Sequence, residues 1–351
     1  MNPFFLESDT GRREALLAAQ QAHPQQLPAY IIEKDFYVTC ILYILYENIA
    51  PTHTARSPTP FVFKGGTSLS KCHNLINRMS EDIDLSFSMD LLGCQEVVRE
   101  PIRARKKMKE EATAIDTLAR QFVLDHLIEP LKAALKALDS RIEVNIEQDE
   151  PLHLGIHYPS VLEEGKAVQR RVLLETGSLS QNNPVGNVDI THMLGEYISA
   201  FEEQKFSVLA LNPERTLVEK MFGVHCNLLN GTRRPKYARH LYDILKLHER
   251  DNTWCEKKQL LLDHVEFCDI HYRTNLEYCN RARTGPLQLC PTSSDLLDHY
   301  RADWEAMADM FPNSQLPYTF DNLLEEIRNF ETHINTFYYK ESHDDSGNID
   351  Q

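Results

Sequence analysis

Residues 61–87 constrain the possible fold more than any other stretch of the chain. They open with Phe61, Val62 and Phe63, aromatic and β-branched residues that predict a strand. Two glycines and two hydroxyl residues follow, and apolar residues then recur at helical spacing, so we expect a helix from about Thr67. Up to Phe87, apolar residues then alternate with acids, which is typical of a half-buried strand. The stretch therefore predicts a strand, a glycine turn, a helix and a second strand.

The acids of the second strand point to metal-dependent chemistry. On a strand, Asp82 and Asp84 face one side, while Ile83 and Leu85 face the other. Two neighbouring carboxylates repel each other unless a cation lies between them, and magnesium prefers hard oxygen ligands. A glycine turn that leads into a helix offers backbone N–H groups to a phosphate. One unit would thus supply both the metal ligands and the phosphate site that transfer from a nucleoside triphosphate requires.

The composition narrows the class of function. The 351 residues carry a formal net charge of −15, which argues against nonspecific coating of nucleic acid but leaves room for a local basic patch. The eight cysteines include no CxxC pair, so we expect reduced thiols in a cytoplasmic protein rather than a zinc site or disulfides. We find no apolar run of membrane-spanning length, no signal-peptide pattern and no HExxH, GxSxG or Walker A motif.

Further helices and strands are expected on both sides of the central stretch. Residues 30–46 are strongly apolar apart from Glu33, Lys34 and Asp35, which fits a buried helix with a charged first turn. Strands are predicted at 141–147, 152–158 and 167–176, and helices at 97–138, 257–268, 294–310 and 321–337. The first of these helices carries the densest basic run, made up of Arg99, Arg103, Arg105, Lys106, Lys107 and Lys109. Both a solvated helix face and a contact with RNA phosphates fit that run.

Two later helices each contain a charged residue of interest. Asn212 and Pro213 form a typical helix start, and Lys220 lies at the edge of the apolar stripe that follows. Such a lysine commonly extends to solvent, although it would also suit a position beside a triphosphate. A second helix is predicted at residues 236–248. By helix geometry alone, its Asp243 would be a surface partner of Arg239, four residues earlier.

Several segments between residues 30 and 250 together resemble the AbiEii/AbiGii abortive-infection toxin family of polymerase-β-like nucleotidyltransferases. That family has a GGT-S turn, a helix and then R-x-S-x-D-x-D, a pattern that residues 78–84 fill completely. It also has an EKD-aromatic segment, found here at residues 33–36. Its P-x-R-T-x-x-E-K and R-H-x-x-D segments correspond to residues 213–220 and 239–243.

The resemblance implies an α/β (α+β) fold with a mixed sheet of the nucleotidyltransferase type and helical additions at both ends. We expect an N-terminal helical segment at residues 1–50 and the nucleotidyltransferase core at 51–210. A C-terminal helical region at 211–340 and a disordered tail at 341–351 would follow.

The resemblance also implies roles for individual residues. Asp82 and Asp84 would bind Mg²⁺ (or Mn²⁺), and a third carboxylate from a neighbouring strand would complete the site. We favour Glu175, which closes the apolar run 172–174, over the plain interpretation of an exposed acid at a strand end. The other acids that remain open for this position are Glu143, Glu147 and Asp189.

Substrate contacts follow from the same resemblance. The nucleotide-binding residues would be Gly65, Gly66, Thr67, Ser68 and Ser80. Lys220 would also bind the nucleotide and neutralise charge on the triphosphate, and Asp243 would belong to the active site. Lys34 and Asp35 would face the active cleft.

The implied activity is transfer of a nucleoside monophosphate from an NTP to a target hydroxyl. The enzyme would be the toxin of a type IV toxin–antitoxin or phage-defence pair, with a cognate antitoxin protein as partner and tRNA as acceptor. Two alternatives stay open: a nucleotide-binding regulator without transfer activity, and a nucleotidyltransferase that acts on a protein or a small molecule. The sequence leaves the choice of NTP and the oligomeric state undetermined.

Overall fold

The computed structural model describes residues 2–94, 104–148, 150–162, 169–177 and 180–339. The chain divides into two compact units. Unit 1 comprises Met1–Thr216 and Ala306–Pro317, and unit 2 comprises Leu217–Glu305 and Tyr318–Gln351. No helix in the described ranges is long and apolar enough to cross a membrane.

The described part of unit 1 contains a single sheet. Its strands are β1 (Phe61–Lys64), β2 (Ile83–Phe87), β3 (Glu143–Glu147), β4 (Glu150–His157), β5 (Arg171–Gly177), β6 (Val185–Ile190) and β7 (Phe206–Leu211). The helices of this unit are α1 (Asp9–Ala22), α2 (Ala29–Tyr43), α3 (Gly65–Lys71), α4 (Arg105–Phe122), α5 (Ile128–Leu138) and α6 (Met193–Tyr197). Short π-helical segments, Ile44–Ile49 and Val123–Leu127, follow α2 and α4.

The sheet is mixed, with the strand order β3-β4-β5-β2-β1-β7-β6. β1 pairs antiparallel with β2 and parallel with β7, and β2 pairs parallel with β5. The remaining neighbours, β3 with β4, β4 with β5 and β6 with β7, are antiparallel. The two strands that flank the glycine turn therefore lie in the interior of the sheet. The expected α/β fold with a mixed sheet is confirmed.

One side of the sheet forms the apolar core of unit 1. Ile83 and Leu85 of β2 and Leu174 of β5 are buried in one cluster with residues of α2, α4 and α5. The residues that alternate with them, Asp84 and Glu175, are only partly buried. The predicted alternation is thus present, and it keeps the carboxylates out of the core because successive side chains on a strand point to opposite faces.

Unit 2 is helical in its described part. It contains α7 (Pro213–Asn230) from Leu217 onward, and also α8 (Arg239–Arg250), α9 (Lys258–Ile270), α10 (Leu276–Thr284), α11 (Ser294–Ala306) and α12 (Phe320–Tyr339). The apolar stripe predicted for α7 is buried: Leu217, Met221, Val224 and Leu228 are all part of the core.

Some element bounds differ from the sequence prediction. The helix after the glycines begins at Gly65 rather than near Thr67, and it ends at Lys71. The chain then turns back through Asn74, at a φ of +50°, so that β2 can pair antiparallel with β1. Strand β2 begins only at Ile83, and the serine and two acids ahead of it lie in the connection.

Four of the labelled elements, β6, α6, β7 and α10, have no counterpart among the sequence predictions. β6 contains Gly186 and Asn187, which disfavour strand structure, and it forms because it pairs with β7 along its whole length. Arg99 and Arg103 of the basic run, residues 167 and 168 of a predicted strand and the tail at 341–351 lie outside the described residues.

Candidate active site

The turn from β1 into α3 brings the Asp84 carboxylate against the backbone. Gly65 has a φ of +75°, which L side chains rarely adopt. A Cβ at this position would lie 1.8 Å from Oδ2 of Asp84, so any side chain would overlap with the carboxylate. The first glycine is therefore needed both for its backbone conformation and for the close approach of Asp84.

The second glycine makes room for the connection that precedes β2. A Cβ at Gly66 would lie 2.6 Å from Oγ of Ser80 and 3.0 Å from Nη2 of Arg78. Next along the turn, Oγ1 of Thr67 lies 3.1 Å from Oγ of Ser80 and donates a hydrogen bond to the carbonyl oxygen of Asp82. These contacts hold the residues of the R-x-S-x-D-x-D pattern against the glycine turn.

The hydroxyl groups of the turn face inward. Thr67 and Ser68 are 3% and 2% exposed, respectively. Their side chains therefore serve packing and the contact with Ser80. What this turn offers to a phosphate is its backbone N–H groups.

The strand register brings a third carboxylate beside the pair. Asp84 is the cross-strand partner of Glu175 on the parallel strand β5. The three alternatives lie farther away: Glu143 and Glu147 are on the edge strand β3, and Asp189 is on the opposite edge strand, β6. Glu147 moreover forms an ion pair with Arg171. Of the four acids considered, Glu175 is thus the one placed next to Asp84.

Two basic residues outside the sequence-based candidates lie level with these acids. Lys64 of β1 is the cross-strand partner of Asp84, and His153 of β4 is the partner of Glu175. Side chains of cross-strand partners share one face of the sheet. Lys64 also donates to Oγ of Ser180 over 2.8 Å. The sequence could have indicated Lys64 as a site residue, because it directly precedes the glycine pair. No local pattern indicates His153, whose position depends on the pairing of β4 with β5.

The second turn of α2 carries three charged residues that bind other parts of unit 1. Lys34 forms a 2.5 Å ion pair with Glu81, the residue before Asp82, and donates to the carbonyl oxygen of Gln169. Asp35 accepts from Lys71 of α3 over 2.6 Å and from the backbone N–H of Met193. These pairs fasten α2 to the connection before β2 and to α3.

The third member of that turn, Glu33, lies deeper in unit 1. Its carboxylate accepts from the backbone N–H of Val161 over 2.9 Å and from the hydroxyl of Ser160. Burial raises the pKa of Glu33, and these hydrogen bonds oppose that rise. The expected buried helix is present, but Glu33 and Lys34 lie in its second turn rather than its first, because α2 begins at Ala29.

Lys34 and Asp35 also line a cavity of about 540 Å³ whose wall includes Thr67 and Ser80. Asp82, Asp84 and Glu175 are not among the residues that line this cavity, so the expectation that Lys34 and Asp35 face the active cleft stays a prediction.

Lys220 and Asp243 are brought together within unit 2. Nζ of Lys220 lies 2.9 Å from Oδ2 of Asp243 and 3.3 Å from Nδ1 of His240. Lys220 is 9% exposed and Asp243 is fully buried. The expectation that Asp243 is a surface residue is therefore wrong. It failed because the residue pattern of one helix does not reveal which residues of another helix it meets. Here Lys220 of α7 supplies the cation that compensates the buried Asp243 carboxylate.

The acids present suit a divalent cation that binds together with a substrate. Within the residues that the structure describes, no three His, Cys, Asp or Glu side chains form a ready metal site. Mg²⁺ commonly uses one or two carboxylates and completes its shell with water and substrate phosphates. Asp82 and Asp84, beside a turn with backbone N–H groups, match that donor set.

Comparison with known proteins gives the family. The model for the family described as nucleotidyl transferase AbiEii toxin, type IV TA system, matches residues 53–326. Among solved structures, MenT4, a nucleotidyltransferase toxin from Mycobacterium tuberculosis H37Rv, is similar at 15% identity with a TM-score of 0.42, over 93% of this chain and 99% of that one. No curated protein matches the chain. The family model spans well over half of the sequence and confirms the predicted resemblance: the chain belongs to the AbiEii nucleotidyltransferase toxins of type IV toxin–antitoxin systems.

Proposed function

We propose that this nucleotidyltransferase moves a nucleoside monophosphate from an NTP to a hydroxyl of a target molecule at the site around Asp84. One observation carries the proposal. Asp84 lies in register with Glu175 on the parallel strand β5, and the Asp84 carboxylate fits against Gly65 because glycine has no side chain. The carboxylates, the glycine turn and the paired Lys64 thus meet on one face of the sheet.

The proposal gives Asp82, Asp84 and Glu175 the metal-binding role. Mg²⁺ or Mn²⁺ held there would supply charge stabilisation for the phosphates that react. In this proposal Glu175 would additionally help to activate the attacking hydroxyl by accepting its proton. Asp84 and Glu175 are held by the strand ladder rather than by loops, so their separation is set before the substrate binds.

The proposal assigns the phosphates of the NTP to the turn formed by Gly65, Gly66, Thr67 and Ser68, with Ser80 beside it. Lys220 would neutralise charge on the triphosphate, and Asp243 would fix the orientation of its ammonium group, which the 2.9 Å ion pair supports. In this role Asp243 is an orienting partner of Lys220.

As its family implies, the protein is a toxin with a cognate antitoxin and an NTP substrate. We further propose tRNA as the acceptor and the cytoplasm as the place of action. Exposed lysines on α4, Lys106, Lys107 and Lys109, support an RNA acceptor. The eight cysteines are free thiols, which agrees with a reducing compartment.

The test is incubation of the full chain with each labelled NTP, Mg²⁺ and total tRNA. We expect label on RNA with the wild type and at least a thousandfold less with Asp82→Ala or Asp84→Ala, because the charge of the reacting phosphates is then uncompensated. Glu175→Gln should be similarly impaired, whereas Glu143→Gln, a matched change on the edge strand β3, should retain full activity.

Other outcomes distinguish the alternatives. Label on a polypeptide would redirect the proposal to a protein acceptor. NTP binding without transfer to any acceptor would favour a regulator. Full activity of both Asp82→Ala and Asp84→Ala would refute the metal-binding assignment.

A further inference from the structure

We propose that His153 contacts the acceptor, at the ribose that carries the attacking hydroxyl of the RNA. This inference rests on the proposed function and assigns the acceptor side of the same site. It gives His153 the role of a substrate-binding residue, which the family match does not address.

The first step is the order of side chains across the sheet. The register pairs Lys64 with Asp84, Asp84 with Glu175, and Glu175 with His153. These residues belong to four successive strands, β1, β2, β5 and β4. Because neighbouring strands lie about 4.8 Å apart, the backbone of His153 is about 10 Å from that of Asp84. The imidazole projects from the same face of the sheet as the acids, next to Glu175, where a substrate bound over the acids can contact it.

The second step is the direction of attack. In nucleotidyl transfer the incoming hydroxyl and the departing pyrophosphate lie on opposite sides of the phosphorus, roughly in line. The proposed function puts the phosphates at the glycine turn that follows β1. The hydroxyl must then approach from the other side of Asp84, which is the side of β5 and β4. His153 lies on that side, directly beyond Glu175.

The third step is what surrounds the imidazole. His153 is partly exposed, so a ligand can reach it. Two residues farther along β4, the space over Gly155 is filled, because a Cβ there would lie 2.3 Å from Oε1 of Glu147 and 3.3 Å from Nε2 of His157. Glu147 is in turn paired with Arg171. On β4, the position beside Glu175 that a ligand can reach is therefore that of His153.

The chemistry of an imidazole suits a ribose. Its two ring nitrogens can hydrogen-bond a hydroxyl, and its flat ring can pack against a sugar or a base. A terminal ribose carries two neighbouring hydroxyls, so that one can attack while the other is bound by His153. The acidic neighbourhood on β5 and β3 disfavours phosphate contacts here, which agrees with recognition of a sugar.

The experiment compares three variants of the full chain in the labelled-NTP assay: His153→Ala, His153→Asn and His157→Ala. His157 is the matched control, since it lies on the same strand and face, four residues on, opposite Arg171. We expect His153→Ala to raise KM for tRNA about tenfold, the effect of removing one hydrogen bond, with KM for the NTP changed less than twofold. His153→Asn, which keeps hydrogen-bonding groups, should recover part of the loss, and His157→Ala should resemble the wild type.

An unchanged KM for tRNA in His153→Ala would overturn the inference, and so would an equal effect of His157→Ala or a rise confined to KM for the NTP. Thermal unfolding and equilibrium NTP binding of each variant exclude a folding defect as the cause. A wild type that labels no RNA would refute the proposed RNA acceptor and this inference together. A wild type that labels RNA while His153→Ala matches it would refute this inference alone.

Discussion

Single residues of the glycine turn show how backbone conformation and chemistry are joined. Gly65 and Gly93 both have positive φ, +75° and +69°, but their surroundings differ. A Cβ at Gly65 would overlap with the Asp84 carboxylate, whereas nothing lies within 4 Å of one at Gly93. A substitution at Gly93 therefore causes backbone strain alone, whereas one at Gly65 also displaces Asp84.

We expect Gly65→Ala to lower the rate of nucleotide transfer at least a hundredfold, whereas Gly93→Ala should keep the rate of the wild type. Both should lose about 1–2 kcal/mol of unfolding free energy, since a left-handed conformation is unfavourable for alanine. Only the first also displaces Asp84. Transfer assays and urea unfolding of both variants measure the two effects, and equal activity of the two would contradict the role given to Gly65.

Charged residues at the ends of elements hold unit 1 together. Arg12 of α1 is buried and donates to the carbonyl oxygens of Phe4 and Phe5. It also forms a 2.7 Å ion pair with Asp139, the residue after α5. Arg141 binds the same carboxylate over 2.8 Å. Through the Asp139 carboxylate, Arg12 of α1 and Arg141, which lies just before β3, are held together.

The hydrogen bonds from Arg141 and Arg12 hold the pKa of Asp139 well below its usual range. A carboxyl whose pKa is lower in the folded state stabilises the fold fully above its unfolded pKa of about 3.9, and this stabilisation is lost as pH falls through the folded pKa. We expect Asp139→Asn to cost about 3 kcal/mol of unfolding free energy at pH 7. The gap between wild type and variant should narrow below about pH 4.

Urea unfolding of both proteins between pH 7 and pH 3 tests this expectation. Glu143→Gln, a change at an exposed position of β3, is the control and should leave the pH dependence of the wild type unaltered. A difference between wild type and Asp139→Asn that stays constant with pH would show that the ionised carboxylate is not the source of the stabilisation.

For the molecule as a whole, the question is how a chain with a net charge of −15 would bind the RNA acceptor that we propose. We expect the exposed lysines of α4 to provide local attraction. Lys107→Glu/Lys109→Glu should weaken tRNA binding and lower the slope of log K against log salt by about one for each phosphate that is no longer neutralised. NTP binding should be unchanged.

Arg120→Glu/Lys136→Glu is the matched control, because both positions are exposed and the change in net charge is the same. Filter binding at several salt concentrations measures both variants. Equal weakening of tRNA binding in the two would mean that net charge, rather than the basic run, governs the affinity for RNA.

The spacing of residues along the chain was enough to identify the strand, turn, helix and strand around Gly65 and Asp84, because these depend on local alternation and on glycine conformation. The family motifs likewise depend on short segments. The same alternation predicted that Asp82 is part of the strand, yet β2 begins at Ile83, because the start of strand pairing is not visible in a local pattern.

Pairing between distant segments required the folded structure. The family resemblance favoured Glu175 over Glu143, Glu147 and Asp189, but its position beside Asp84 follows only from the β2–β5 register. The position of His153 likewise follows from the β4–β5 register. Helix geometry alone placed Asp243 at the surface, yet it is buried, because Lys220 of another helix compensates its charge. A local pattern reports the periodicity of one element, whereas the partner that each face meets is set by contacts between residues far apart in the chain.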